Sequence, residues 1–280
     1  MRVTECLGLF TAFLSAVLVL PAAASSAGSR IEFSSLDASQ PIHVSGTLYL
    51  PERASGPSPA VVLVHGTMGI DMRGAFYRVP LLSAGIAVFE VDFKTGIFTS
   101  ALDRPKVDTF TPLAFAALKI LRKQSMIDPQ RIGIMGFSLG GAITLRTAVE
   151  DYRKQWLGDE KGFAVHVGFY PVCKGFIPLV DKIGGLTGAS MIVLYGTEDS
   201  YGDGQAAPEL KIQLKKKFNY DLLTVEYPGA AHGFNRNAPP LAYPDPSAKG
   251  GIGHMAWDAD AANDSVIKVM AFLHQNLLAK

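Results

Sequence analysis

Arg131-Ile-Gly-Ile-Met-Gly-Phe-Ser138-Leu-Gly-Gly-Ala-Ile-Thr-Leu145 decides how this chain folds. A short apolar run ends at Gly136-Phe137, a serine follows, and helix-forming residues resume at once. An almost continuous apolar run predicts a strand covered on both faces. Glycines two residues either side of Ser138 leave room for a sharp strand-to-helix turn that lifts a hydroxyl above the sheet. In a chain with 28 glycines a bare Gly-x-Ser-x-Gly arises readily by chance. The strand before it and the helix after it are what make it specific.

Outward from this turn the same alternation repeats. Ala60–His65, Ile86–Asp92, Phe163–Phe169 and Met191–Tyr195 are further short apolar runs, and Ile42–Leu50 alternates like a half-buried strand that closes at Pro51. Helical spacing appears in Thr111–Arg122, with Thr111 as the expected cap and Pro112 just inside it, in Leu139–Trp156, and in Trp257–Leu278. Strands alternating with helices predict an α/β fold with a mainly parallel central sheet and helices on both faces. The Gly/Pro-rich stretches Pro51–Pro59 and Ala238–Gly253 are expected to be loops. Residues 28–280 are thus read as one domain, long enough to bury a core without staples.

The first 27 residues set a compartment. Arg2, the apolar run Leu7–Leu20 and the small residues after Pro21 match a secretory signal peptide cleaved between Ala24 and Ala27. Thr11, Ser15 and Pro21 make the run short for a membrane span, so no stable membrane insertion is expected after cleavage, and the mature protein should be secreted or periplasmic. Of the two cysteines Cys6 leaves with the leader, and Cys173 alone cannot form an internal disulfide. The formal charge of +1, from 26 basic and 25 acidic residues, argues against nucleic acid as a partner. The run Lys215-Lys216-Lys217 reads as a solvated helix end.

A serine hydroxyl needs a base before it can attack. Of six histidines, only His232, in Gly229-Ala-Ala-His-Gly-Phe, sits late in the chain on a loop just after a strand. An acid between the two, beyond a strand end, would orient the imidazole. Glu198-Asp199 offers two neighbours, and Asp199 is the better fit to the order Ser, Asp, His. A developing oxyanion needs two backbone donors, expected from Leu139 at the helix start and Thr67 in the loop His65-Gly-Thr-Met-Gly69. His65 itself is expected to hold that loop. The aromatics of Phe93–Ser100 and Phe169-Tyr170 suit either a pocket or the core. His254, Asp258 and Asp260 form no complete ligand set, so neither a metal nor another cofactor is expected.

The GFSLGG, GTED and AHGF turns, together with the stretch from Ala242-Tyr243 to Ala256-Trp257, resemble the dienelactone hydrolase family, a branch of the α/β-hydrolase fold. The similarity spans roughly Ile31–Lys280. It implies cofactor-free hydrolysis of small-molecule esters or lactones. It also implies a substrate-carboxylate role for Arg236, four residues beyond His232. The chain departs from the founding members in carrying Ser138 where they carry cysteine, and in lacking their glutamate in the oxyanion loop; a broader esterase than a dienelactone hydrolase proper is therefore expected. Two other readings share these motifs: a prolyl-oligopeptidase-like serine peptidase, which would lack the large N-terminal domain of that type, and a non-catalytic ligand-binding homologue, which would be expected to have lost a triad member.

Overall fold

The structure, a computed structural model, describes residues 27–54, 56–93 and 107–279. The expected signal peptide up to residue 26 and the aromatic stretch after Phe93 as far as residue 100 lie outside the described residues. In chain order the elements are β1 (Ser29–Ser34), β2 (His43–Tyr49), β3 (Ser58–Val64), α1 (Met72–Ser83), β4 (Ala87–Asp92), α2 (Val107–Arg122), β5 (Ile127–Phe137), α3 (Leu139–Thr147), α4 (Glu150–Leu157) and β6 (Val165–Phe169). They continue as α5 (Ile177–Val180), β7 (Ser190–Gly196), α6 (Asp203–Phe218), β8 (Leu223–Tyr227), β9 (Leu241–Pro244), β10 (Ile252–Met255) and α7 (Ala259–Leu273).

Eight strands form one sheet in the order β1-β2-β4-β3-β5-β6-β7-β8, parallel from β4 to β8 and antiparallel at the β1-β2-β4 end. Successive side chains of β3 enter opposite layers, as a two-fold strand repeat requires. Val62 and Val64 pack with α2, whereas Val61 and Leu63 pack with Tyr77 and Leu81 of α1 and Phe272 and Leu273 of α7. Burying each such aliphatic side chain contributes about 1.5–3 kcal/mol. From β3 the chain moves to β4 on one side and then returns to β5 on the other, so a crevice opens at the carboxyl ends of β3 and β5. No described helix is long and apolar enough to cross a membrane.

Four local expectations are corrected. Thr111 is not a cap: α2 already runs from Val107, and the buried Thr111 hydroxyl donates back to Val107 O at 3.5 Å. The Leu139–Trp156 segment is two helices, because extended Val149 bridges to Leu186 while Ala148 O accepts the Thr187 amide at 2.8 Å. The Ala238–Gly253 stretch contains most of an antiparallel hairpin, β9 with β10, that also places His254 in a strand. The last α-helix begins at Ala259, capped by Asp258 on the Ala261 amide at 3.0 Å, and α-geometry ends at Leu273, beyond which His274–Leu278 forms a π-type stretch. The edge strand β1 is an additional element, in which Ile31 and Phe33 alternate with Arg30 and Glu32 and the whole strand pairs with β2.

Candidate active site

Ser138 joins β5 to α3 with φ 54° and ψ −112°, a left-handed backbone in a non-glycine residue. The turn closes tightly. A Cβ on Gly136 would lie 2.1 Å from Gly140 O, and one on Gly140 would lie 2.2 Å from Val64 O, so neither position admits a side chain. The Ser138 amide donates to Phe169 O at 3.0 Å, which ties the turn to β6.

His232 Nε2 lies 2.9 Å from Ser138 Oγ, and its Nδ1 lies 2.7 Å from Asp199 Oδ2. With the proton on Nδ1 donated to the carboxylate, Nε2 is left to accept the serine hydroxyl. The other Asp199 oxygen takes the Tyr201 amide at 2.7 Å. His232 is fully buried, and Asp199 and Ser138 are 6% and 8% exposed, so these contacts work in a low-dielectric setting. Glu198 points to solvent, which distinguishes the two neighbouring acids.

Leu139 is the first residue of α3, where backbone N–H groups have no intrahelical acceptor. Thr67 follows Gly66, whose Cα region abuts the Ser138 Cβ and Phe137 O. His65 ties this loop down: its Nε2 accepts the Phe93 amide at 2.9 Å and its Nδ1 donates to Gly66 O at 2.6 Å. Burial holds the His65 imidazole below its ordinary pKa, in keeping with both nitrogens serving as neutral-ring partners.

Arg236 is not brought into contact with Ser138, His232 or Asp199. Its Nε lies 3.9 Å from Asp71 Oδ2, and its Nη1 donates to Pro239 O at 3.4 Å. Asp71 is already clamped by Arg73, whose Nη2 and Nε approach it at 2.6 and 2.8 Å. Burial acts to raise the Asp71 carboxyl, but the bonds and charge of Arg73 outweigh it and hold it below the usual carboxylate range. Among the described residues no three His, Cys, Asp or Glu side chains gather closely enough to hold a metal ion.

Several residues that no motif singles out complete the site. The His232 ring lies between Tyr170 and Tyr201, each with its centroid 4.6 Å away. Tyr170 and Phe169 are fully buried, so they back the histidine and the core instead of lining an open pocket. Arg73 Nη1 donates to Tyr170 OH at 3.1 Å, Tyr170 OH to Asn235 Oδ1 at 2.5 Å, and Asn235 Nδ2 to Tyr77 OH at 2.8 Å. On the other side the Tyr201 hydroxyl donates to Asp245 at 2.5 Å and meets Tyr243 OH at 2.8 Å, both from the β9–β10 segment. The one sequence signal available was position: Tyr170 directly follows β6, and Tyr201 and Asn235 stand two and three residues beyond Asp199 and His232.

The dienelactone hydrolase family model matches residues 44–277. The uncharacterized protein MT2364 of Mycobacterium tuberculosis is 26% identical over 163 residues, which cover 55% of this chain and 57% of that protein, so the match spans little more than half the relative's length. The bis(hydroxyethyl) terephthalate hydrolase of Streptomyces coelicolor is 36% identical over 108 residues, 37% of this chain and 33% of that protein. Among solved structures, the dienelactone hydrolase-like promiscuous phosphotriesterase P91 from metagenomic libraries superposes with a TM-score of 0.62 at 20% identity, covering 90% of this chain and 99% of that one, a likeness of fold.

Proposed function

Because this chain belongs to the dienelactone hydrolase family, we propose that it hydrolyses carboxylic esters or lactones through an acyl-enzyme on Ser138. The observation that carries the reading is the buried relay from Ser138 Oγ through His232 to Asp199, at 2.9 and 2.7 Å. His232 takes the serine proton as Oγ attacks the carbonyl carbon, and Asp199 stabilises the resulting imidazolium. The Leu139 and Thr67 amides face the oxyanion. Collapse of the tetrahedral intermediate expels the alcohol, which receives the proton from His232; water then attacks the acyl-enzyme by the same route and releases the acid. The named activity of the Streptomyces relative, on a terephthalate ester, supports an ester substrate. Turnover of p-nitrophenyl acetate with no cleavage of an aminoacyl-anilide, together with fluorophosphonate labelling of Ser138, is the expected result. Anilide cleavage at a comparable rate would move the reading to a peptidase, and neither turnover nor labelling would move it to a binding protein.

Arg236 serves substrates that carry a carboxylate. Two guanidiniums, Arg73 and Arg236, approach the single Asp71 carboxylate, which leaves a net positive charge beside the loop that bears His232. Charge-assisted bonds to a carboxylate contribute about 1.5–3 kcal/mol. Arg236→Ala should therefore raise KM for an ester with a free carboxylate by about tenfold or more, with p-nitrophenyl acetate turned over unchanged. Equal effects on both substrates would instead assign Arg236 to support of the loop.

Export rests on the charged, apolar and small-residue order of residues 1–27. N-terminal sequencing of the protein from its native host should begin between Ser25 and Gly28; an intact Met1 on active protein would refute it.

A further inference from the structure

A second buried carboxylate stands behind the contacts of Ser138, His232 and Asp199. Asp203 is the first residue of α6 and is fully buried. Its two oxygens accept the backbone amides of Val172 at 2.8 Å and Cys173 at 2.6 Å. Those amides belong to the turn that follows β6, in which Tyr170 (φ 36°) and Val172 (φ 54°) take left-handed backbone. For a β-branched valine that conformation is unfavourable and persists only where the surroundings enforce it. Here they are the Asp203 bonds and the Tyr170 amide, which donates to Leu194 O at 2.7 Å.

The turn sets two groups that touch the site. Phe169 O, just before it, accepts the Ser138 amide, and the Tyr170 ring packs against His232. Asp203 is also joined to Asp199 by a tight turn in which the Gly202 amide donates to Asp199 O at 3.0 Å. The titratable groups that interact with Asp203 are Asp199 from the loop before α6, His232 from the loop after β8, Cys173 from the turn, and Tyr195 of β7, which in turn donates to Glu226 of β8.

We propose that Asp203 is a positioning residue of this site: its carboxylate locks the left-handed turn Tyr170–Cys173, which holds Tyr170 on His232 and Phe169 O on the Ser138 amide, and it places a second negative charge beside Asp199. Burial, and then the charge of Asp199, push the Asp203 carboxyl up to about 7, against the pull of the two amides and of His232. A positive charge on His232 favours the ionised Asp203 carboxylate, and the carboxylate in turn favours that charge. The inference rests on the serine-hydrolase reading above.

The test separates the two. Fluorophosphonate labelling of wild-type Ser138 decides the hydrolase reading by itself. Asp203→Asn should then lower kcat for p-nitrophenyl acetate by roughly tenfold to a hundredfold, the loss expected of a misplaced catalytic group, with KM within about twofold. The acid limb of its pH–rate profile should move to lower pH, because the charge that favours the imidazolium is gone. The downfield Nδ1 proton of His232, read by NMR, should shift in the variant whether or not the enzyme turns over the ester. A folded variant with unchanged kcat and an unchanged His232 resonance overturns the proposal, and so does a loss of kcat with both the pH profile and that resonance unmoved. Should Asp203→Asn fail to fold, Tyr170→Leu, which leaves the carboxylate in place, must still lose kcat at constant KM; a full-rate Tyr170→Leu enzyme refutes the mechanism.

Discussion

Ser138→Ala should lower kcat for p-nitrophenyl acetate by a factor of about 10⁴ to 10⁶, the range seen when a serine nucleophile is removed from such a constellation. The protein should stay folded. Alanine keeps the Cβ that the turn at φ 54° already accommodates, and the change removes one hydrogen bond, to His232 at 2.9 Å, worth about 1 kcal/mol. Cys173 offers no substitute nucleophile, because burial and the nearby Asp203 raise its thiol pKa well above the ordinary value and leave it protonated. Activity measured alongside thermal unfolding checks both halves. An alanine variant that retains a tenth of the rate, or a wild-type enzyme silenced by thiol reagents and untouched by fluorophosphonate, would remove Ser138 from the mechanism.

Gly140→Ala should be among the most damaging substitutions that add a single methyl group. The new Cβ would sit 2.2 Å from Val64 O and 2.7 Å from His65 O, both backbone atoms where the central strand β3 ends, and no flexible side chain is there to give way. Helix α3 must then back away from β3, carrying Ser138 and the Leu139 amide with it. Overpacking of this kind costs about 1–3 kcal/mol and sometimes more. Displacement of the nucleophile by about 1 Å adds a loss near a hundredfold in kcat. Thermal denaturation and steady-state rates on the same preparation are the measurements. A wild-type melting temperature with a wild-type rate would mean that the turn is not built as described.

The runs that became β3 to β7 were legible because a buried strand needs an apolar side chain at nearly every position, a property of adjacent residues, and β2 was legible from its two-residue alternation. The Gly136–Gly140 turn was legible for a similar reason, since its steric demand falls on residues two apart. Ser138, Asp199 and His232 could be singled out because each stands just beyond a strand end in an order this fold repeats; that their side chains meet at 2.9 and 2.7 Å is a fact of the tertiary structure. Other features had no local trace. Val149 breaks a continuous helical pattern because Leu186, far along the chain, competes for its backbone. The β9–β10 hairpin is four-residue strands held by the Asp199 loop, with Lys249 N on Ser200 O at 2.7 Å and Asp245 under the Tyr201 hydroxyl. Arg73, Tyr170 and Asn235 are spread over more than 160 residues of sequence yet share one buried hydrogen-bond chain. Sequence spacing by itself determined which residues could form strands, a nucleophile turn and a relay, because those demands are satisfied within a few residues. Which polar groups would be buried together, and so which tyrosines and carboxylates would surround His232, was decided only when distant segments packed and each desolvated donor had to find an acceptor.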